Sequence, residues 1–298
     1  MTTPAKSPFL IAPDIDDGRL TKSVAGLDEN GEPITVDVVT ERPLTLFLNA
    51  QEIVTMMTIG DHPALLAVGY LRNQNMVRDD DVITGVEHDE ELGVVIVRTQ
   101  RETDYEAVTR KRVRTSGCAQ GTVFADVMDG FDAVVLPSKT SVSTTQLIAL
   151  SKTINTTPSL YLKAGAIHGC VLAMPDRPLV YMEDVGRHNA VDKIAGWMHL
   201  GGADGTDKLL YTTGRLTSEM VIKTVMMGIP ILVSRSGFTA WGVELAQQAG
   251  LTLIGRARGK KFTVLSGDER VIRDHAIADI SDASEDPATI RKGARDVG

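Results

Sequence analysis

The spacing of apolar positions changes character partway along the chain. From Ile34 to Met57, short apolar and β-branched runs ("ITVDVV", "PLTLFLN", "QEIVTMM") predict strands of an antiparallel meander. Asp61 then stands where a helix cap belongs. Pro63 follows in the first turn, where its missing N–H costs nothing, and "ALLAVGYLRNQ" continues at helical spacing. "DVITGVEHDEELGVVIVRTQ" returns to strands, with a hairpin turn near Glu91 to Gly93, and "KRVRTS" predicts one more strand.

After about residue 140 strands and helices alternate. "STTQLIALSKTINT" has helical periodicity, with Ser143 as its N-cap. "PLVYMED", "KLLYTTG" and "IPILVSRS" predict strands, each followed by a helix: "RHNAVDKIAGWMHL", "SEMVIKTVMMG" and "AWGVELAQQAG". "LTLIGRARG" and "KFTVLSG" close the series as strands. Such alternation with short connections implies a layered α/β sheet, partly parallel. The chain therefore divides into a flexible lead-in over 1–35, a smaller strand-rich domain over 36–140, an α/β domain over 141–270 and a charged tail over 271–298.

Composition narrows the function. The 298 residues are 43% hydrophobic and 23% charged, enough for a real core, while only 4% are aromatic, so aliphatic side chains carry the packing. The net charge of −8 argues against a nucleic-acid binder and turns attention to local basic clusters. No apolar leader opens the chain, and no stretch reaches the roughly 18 apolar residues of a membrane helix. With two cysteines there is no disulfide framework. The expectation is a cytoplasmic protein, free of the membrane, with reduced thiols.

Those thiols differ in setting. Cys118 follows Arg110, Lys111, Arg112 and Arg114 in "RKRVRTSGCAQG". Positive charge favours thiolate over thiol, and Ser116 and Gly117 leave the sulfur open. A small half-buried thiol in a turn is the plainer reading; a nucleophile for sulfur or acyl chemistry is the functional one. Cys170, in "AGAIHGCVLAM", has small apolar neighbours that predict core packing. His168, two residues earlier, fits either a cofactor contact or a satisfied core histidine.

Three strand ends in succession carry glycine and arginine: Gly186, Arg187 and His188; Gly214 and Arg215; Arg235 and Gly237. One such end is a capped helix. Three would ring one sheet edge with donors for an anionic or nucleotide-like ligand, since α/β sheets bind ligands at the carboxyl ends of their strands. In "GRARGKKF", Arg256, Arg258, Lys260 and Lys261 surround Gly259 between two strands, as a solvated hairpin tip or a phosphate cradle. The sequence has no metalloprotease, deaminase, Walker A or hydrolase-elbow motif, so no metal site is expected.

Taken together, "RTSGC", "EDVGRHNAVDK", "YTTGRLTSEMVIK" and "GIPILVSRSGFTAWGVELAQQAGLTLIGRARGKKF" resemble the FdhD family, the sulfur carriers required for formate dehydrogenase activity. The resemblance covers roughly residues 35 to 270. It implies a cytidine-deaminase-like α/β domain joined to a smaller strand-rich α+β domain. It implies a sulfurtransferase that accepts persulfide sulfur from a cysteine desulfurase and passes it to the bis-molybdopterin guanine dinucleotide molybdenum cofactor. The persulfide cysteine falls on Cys118. The cofactor segment falls on Arg256, Ala257, Arg258, Gly259, Lys260 and Lys261, with Arg187, His188 and Arg215 contributing from the strand ends. Guanosine diphosphate would mimic part of the cofactor. A cysteine desulfurase and formate dehydrogenase are the implied partners, and a homodimer is common for such sheets. Gly121 stands where the family loop often has a second cysteine. That departure keeps open a cofactor-binding chaperone that carries no sulfur.

Overall fold

A computed structural model describes residues 8–101, 124–137 and 139–274. Its smaller sheet has four strands, β3 (Arg42–Leu48), β4 (Gln51–Thr58), β5 (Ile83–Asp89) and β6 (Val94–Thr99), in the order β4-β3-β6-β5. Of the meander expected from Ile34 to Met57, only the β3–β4 hairpin is present, because "ITVDVV" pairs with an earlier strand in a separate two-stranded sheet. The pairs β3–β4 and β5–β6 are antiparallel, but β3 and β6 run parallel. A parallel pair needs a crossover, which helix α1 (Pro63–Asn73) supplies. Leu44, Leu46 and Leu48 alternate inward along β3 and pack with Leu66 and Leu71 of the helix. The cap of α1 is His62 in the left-handed region, with φ 47°, not Asp61. Asp61 instead reaches Lys193.

The larger sheet has six strands: β8 (His168–Met174), β9 (Arg177–Asp184), β10 (Leu209–Thr212), β11 (Ile231–Ser234), β12 (Thr252–Arg258) and β13 (Lys261–Ser266). Their order is β13-β12-β11-β10-β8-β9, with β10, β11 and β12 parallel and the other pairings antiparallel. Both faces are covered, so its strands are continuous apolar runs. Leu172, Leu210, Leu232 and Leu253 face one layer, built from helices α2 (Phe124–Ala133), α5 (Arg187–Gly201), α6 (Ser218–Met226) and α7 (Ala240–Gln248). Their neighbours Val171, Tyr211, Val233 and Ile254 face α3 (Thr144–Thr156). Ser143 caps α3 in a full capping box with Gln146, as its position predicts.

Two boundaries move. From residue 8 on the lead-in is not loose: Phe9 is buried in the second core layer, and a strand, β1 (Thr21–Leu27), pairs with β2 (Pro33–Val39). The Leu10 N–H donates to the Leu179 carbonyl and the Tyr181 N–H to the Ile11 carbonyl. These bonds cover the outer edge of β9, which would otherwise offer unpaired backbone groups. Pairing of so few residues leaves no periodicity to read. Helix α2 lies within 36–140, yet Val127 and Phe131 pack into the core of the larger sheet. At the other end, β14 (Val271–Ile272) pairs with β7 (Val142–Ser143), so the first residues assigned to the tail belong to the α/β layer.

Helices α1 and α5 join the two sheets through close backbone approach. A Cβ at Gly69 would lie 1.7 Å from the Asp192 carbonyl oxygen, and one at Gly196 would lie 1.9 Å from that of Leu65. Only glycine fits either position. Beside this crossing Lys193, wholly buried, meets Asp61 from one unit and Asp184 from the other.

Candidate functional site at the carboxyl edge of the six-stranded sheet

The three glycine–arginine strand ends come together along one edge of the larger sheet, and hydrogen bonds lace them. Ser234 Oγ donates to the Gly214 carbonyl at 2.6 Å and accepts the Ser236 N–H at 2.9 Å. The Leu216 N–H donates to the Gly237 carbonyl at 2.9 Å. A Cβ at Gly214 would lie 2.9 Å from the Arg187 side chain, so a glycine there lets that arginine lie across the next loop. Arg215 is exposed at the same edge.

Strand β12 runs beyond its neighbours and carries the basic hairpin out from this edge. The Arg256 N–H donates to the Ser236 carbonyl at 2.7 Å, with Arg256 itself at φ 54°. Arg258 Nε donates to the Arg235 carbonyl at 3.3 Å. Gly259, at φ 55°, makes the turn that pairs Arg258 with Lys261. Arg256, Arg258 and Lys261 are exposed and Lys260 half-buried. Ala257 points the other way, into the core, and offers the edge only its backbone.

Two histidines sit among these cations. His188 Nε2 lies 2.9 Å from Glu219 Oε2, linking the first turns of α5 and α6. Burial lowers the imidazole pKa below its ordinary 6.5, and the hydrogen bond from His188 lowers that of the Glu219 carboxyl. Both shifts describe a neutral ring donating to an ionised carboxylate, which leaves His188 Nδ1 as a buried acceptor without a partner. The match of Glu219 with His188 crosses two loops and leaves no local signal in the sequence. His168 is half-buried, with Nδ1 3.4 Å from Thr213 Oγ1, and burial followed by the charge of Arg187 lowers its pKa.

Behind the edge, Glu183, Asp184, Asn189 and Lys193 of "YMEDVGRHNAVDK" hold the structure together. Asp184 Oδ2 is 2.5 Å from Lys193 Nζ and accepts Thr58 Oγ1 at 2.6 Å, while Asn189 Nδ2 donates to the Met57 carbonyl at 2.7 Å. The Glu183 carboxylate accepts the N–H groups of Leu160 and Tyr161, at 2.7 and 3.0 Å, where the short helix α4 (Leu160–Ala164) begins. Burial pushes its pKa up to about 7.

Of the two thiols, Cys170 is fully buried and hydrogen-bonded to Thr212 Oγ1 at 3.3 Å. Burial pushes it up to about 12. It is a core residue, as its neighbours predict, and no nucleophile at neutral pH. Cys118, its preceding basic run and Gly121 lie outside the described residues. Among the described residues no cluster of three or more His, Cys, Asp or Glu side chains could hold a metal ion, and no helix is long and apolar enough to cross a membrane.

The chain matches the FdhD/NarQ family model over residues 39–272. It is 32% identical to the sulfur carrier protein FdhD of Bacillus subtilis over 250 residues, covering 82% of this chain and 94% of that one. It is 30% identical to the protein of the same name from Geobacillus kaustophilus, covering 79% and 90%. Among solved structures, a formate dehydrogenase accessory protein from Desulfotalea psychrophila superposes with a TM-score of 0.68 at 26% identity, covering 85% of this chain and 98% of the other.

Proposed function

We propose, for a chain that belongs to the FdhD/NarQ family, that it serves as a sulfur carrier in the maturation of formate dehydrogenase. Cys118 takes sulfur from a cysteine desulfurase. Its thiolate attacks the outer sulfur of the donor persulfide, the donor S–S bond breaks, and the donor leaves as thiolate while Cys118 becomes the persulfide. No electrons are gained or lost in this exchange. The basic run from Arg110 to Arg114 favours the anionic sulfur before and after it. The acceptor is the bis-molybdopterin guanine dinucleotide cofactor, a substrate here: the S–S bond breaks, its electron pair stays on Cys118 as thiolate, the terminal sulfur leaves as a neutral atom, and the acceptor supplies the two electrons of the new bond.

The observation that carries the acceptor half is the concentration of cations at one sheet edge. Arg187, Arg215, Arg235, Arg256, Arg258, Lys260 and Lys261 gather there in a protein of net charge −8. Of the acids nearby, Asp184 is charge-matched by Lys193, while Glu219 keeps its charge and is hydrogen-bonded by the neutral His188. Such a surface fits the diphosphate groups of a dinucleotide, which arginine binds through paired charge-assisted hydrogen bonds.

A second reading, a chaperone that binds the cofactor and carries no sulfur, is favoured by one observation: Gly121 replaces a loop cysteine. Formate dehydrogenase maturation in a strain carrying Cys118→Ala separates the two. A carrier loses activity with the thiol; a chaperone keeps it.

A further inference from the structure

The charged tail holds an acidic block. From residue 274 to 290 the chain carries Asp274, Asp279, Asp282, Glu285 and Asp286, and no lysine or arginine comes before Arg291. The family model ends at residue 272, so this block lies outside the matched region. Its first member marks where the chain leaves the described structure. Strand β14 pairs with β7 at the start of α3, and the Thr145 N–H donates to Asp274 Oδ1 at 3.1 Å. Helix α3 runs from there to the basic edge: Asn155 of its last turn borders the same depression as Arg235. At 1.5 Å per residue the helix is about 20 Å long. Thr145, Ala149, Lys152 and Thr156 form an exposed face along its whole length.

We infer that the acidic block of residues 279–286 docks on the basic hairpin of its own chain, against Arg256, Arg258, Lys260 and Lys261. The docking rests on charge and reach. Arg256, Arg258 and Lys261 are exposed, and no carboxylate among the described residues pairs with any of the three. An extended chain covers at most about 3.3–3.6 Å per residue, so Glu285 and Asp286 reach roughly 36–43 Å from Asp274, well past the far end of α3. Asp279 reaches only about 17 Å and falls beside Lys152, midway along the exposed face of that helix. The tether makes the contact intramolecular. A short linker supplies an effective concentration on the order of millimolar, which suffices for a cluster of exposed ion pairs too weak to join separate molecules. The consequence rests in addition on reading the hairpin as the seat of the cofactor's phosphates. Carboxylates on these cations occupy the positions that phosphates would take, so the block competes with them and weakens every anion that binds there.

The test treats the full-length protein with a water-soluble carbodiimide, which joins carboxylates to amines only where they touch, and maps the products by mass spectrometry. A bond between residues 279–286 and Lys260 or Lys261 is expected in the single-chain product. It should disappear near 1 M salt, where charges are screened beyond about 3 Å, and on addition of inorganic pyrophosphate. Its absence overturns the docking, and so does a bond found only between two chains. Calorimetric titration of pyrophosphate then reads the competition in wild type and two full-length variants. Asp279→Asn/Asp282→Asn/Glu285→Gln/Asp286→Asn neutralises the block. Glu29→Gln/Glu32→Gln/Glu41→Gln/Glu52→Gln removes the same charge from exposed positions elsewhere. The first should bind pyrophosphate about three- to tenfold more tightly than wild type, and the second with wild-type affinity. An equal gain in both variants overturns the competition, because net charge alone then acts; no gain in the first overturns it as well. Pyrophosphate binding by none of the three proteins refutes the phosphate seat and the competition with it, while the cross-link still decides the docking.

Discussion

Lys193 Nζ and Asp184 Oδ2 stand 2.5 Å apart, and neither side chain is exposed to solvent. The pair holds the two units together, because Asp184 also accepts from Thr58 of the smaller sheet and Lys193 also reaches Asp61. It thereby fixes the start of α5, where Gly186 caps the helix and Arg187 and His188 begin it. Removing one member of a buried ion pair leaves the other charge uncompensated, at a cost of roughly 3–5 kcal/mol. Lys193→Ala should lose stability of that order in urea unfolding. A loss below about 1 kcal/mol, the size of a surface pair, would show that the buried aspartates find other partners.

Glu183 sets a pH dependence. Its folded-state pKa of about 7 lies above the ordinary carboxyl value of 4.5, because the side chain is buried. The native state therefore binds more protons than the unfolded chain between those values, and stability falls as pH rises through that window. The contribution is complete below about pH 4.5 and gone above about pH 7. Glu183→Gln abolishes this titration. The stability difference, wild type minus Glu183→Gln, should become more negative from pH 5 to pH 8, by on the order of 3 kcal/mol. A difference that stays flat over that range would mean that the carboxyl titrates near its ordinary value.

The basic hairpin should govern phosphate binding. Arg256→Ala/Arg258→Ala is expected to weaken guanosine diphosphate by roughly ten- to a hundredfold, the loss of charge-assisted bonds of about 1.5–3 kcal/mol. Binding should also weaken as salt rises, since these side chains are exposed and screened. Equal affinities in calorimetry would move the phosphates to the loops around Arg187 and Arg215.

The alternation of strands and helices after residue 140 was legible because each apolar run is bounded by a cap or a glycine. Ser143, Gly186 and Thr217 all stand at helix starts. The gathering of Arg187, Arg215 and Arg235 at one edge was legible too, because parallel neighbours β10 and β11 must present their carboxyl ends together. What escaped the sequence was non-local. The match of Lys193 with Asp61 spans separate elements, as does that of His188 with Glu219, and no window on the chain contains either pair. Residue type also misled at Ala257. It lies inside a basic segment, yet strand alternation turns its side chain to the core while Arg256 and Arg258 face out. The parallel register of β3 and β6 depends on a crossover that strand propensity does not encode.

The central claim is that Cys118 carries sulfur, and mass spectrometry of the intact protein and its peptides tests it most directly. Full-length protein is incubated with a cysteine desulfurase and cysteine, then alkylated and digested without reductant. The account predicts one added sulfur atom on the Cys118 peptide, none on the Cys170 peptide, whose thiol is buried and held protonated, and none anywhere in Cys118→Ala. An unmodified Cys118 under conditions where the desulfurase is active, or equal sulfur uptake by Cys118→Ala, would contradict it.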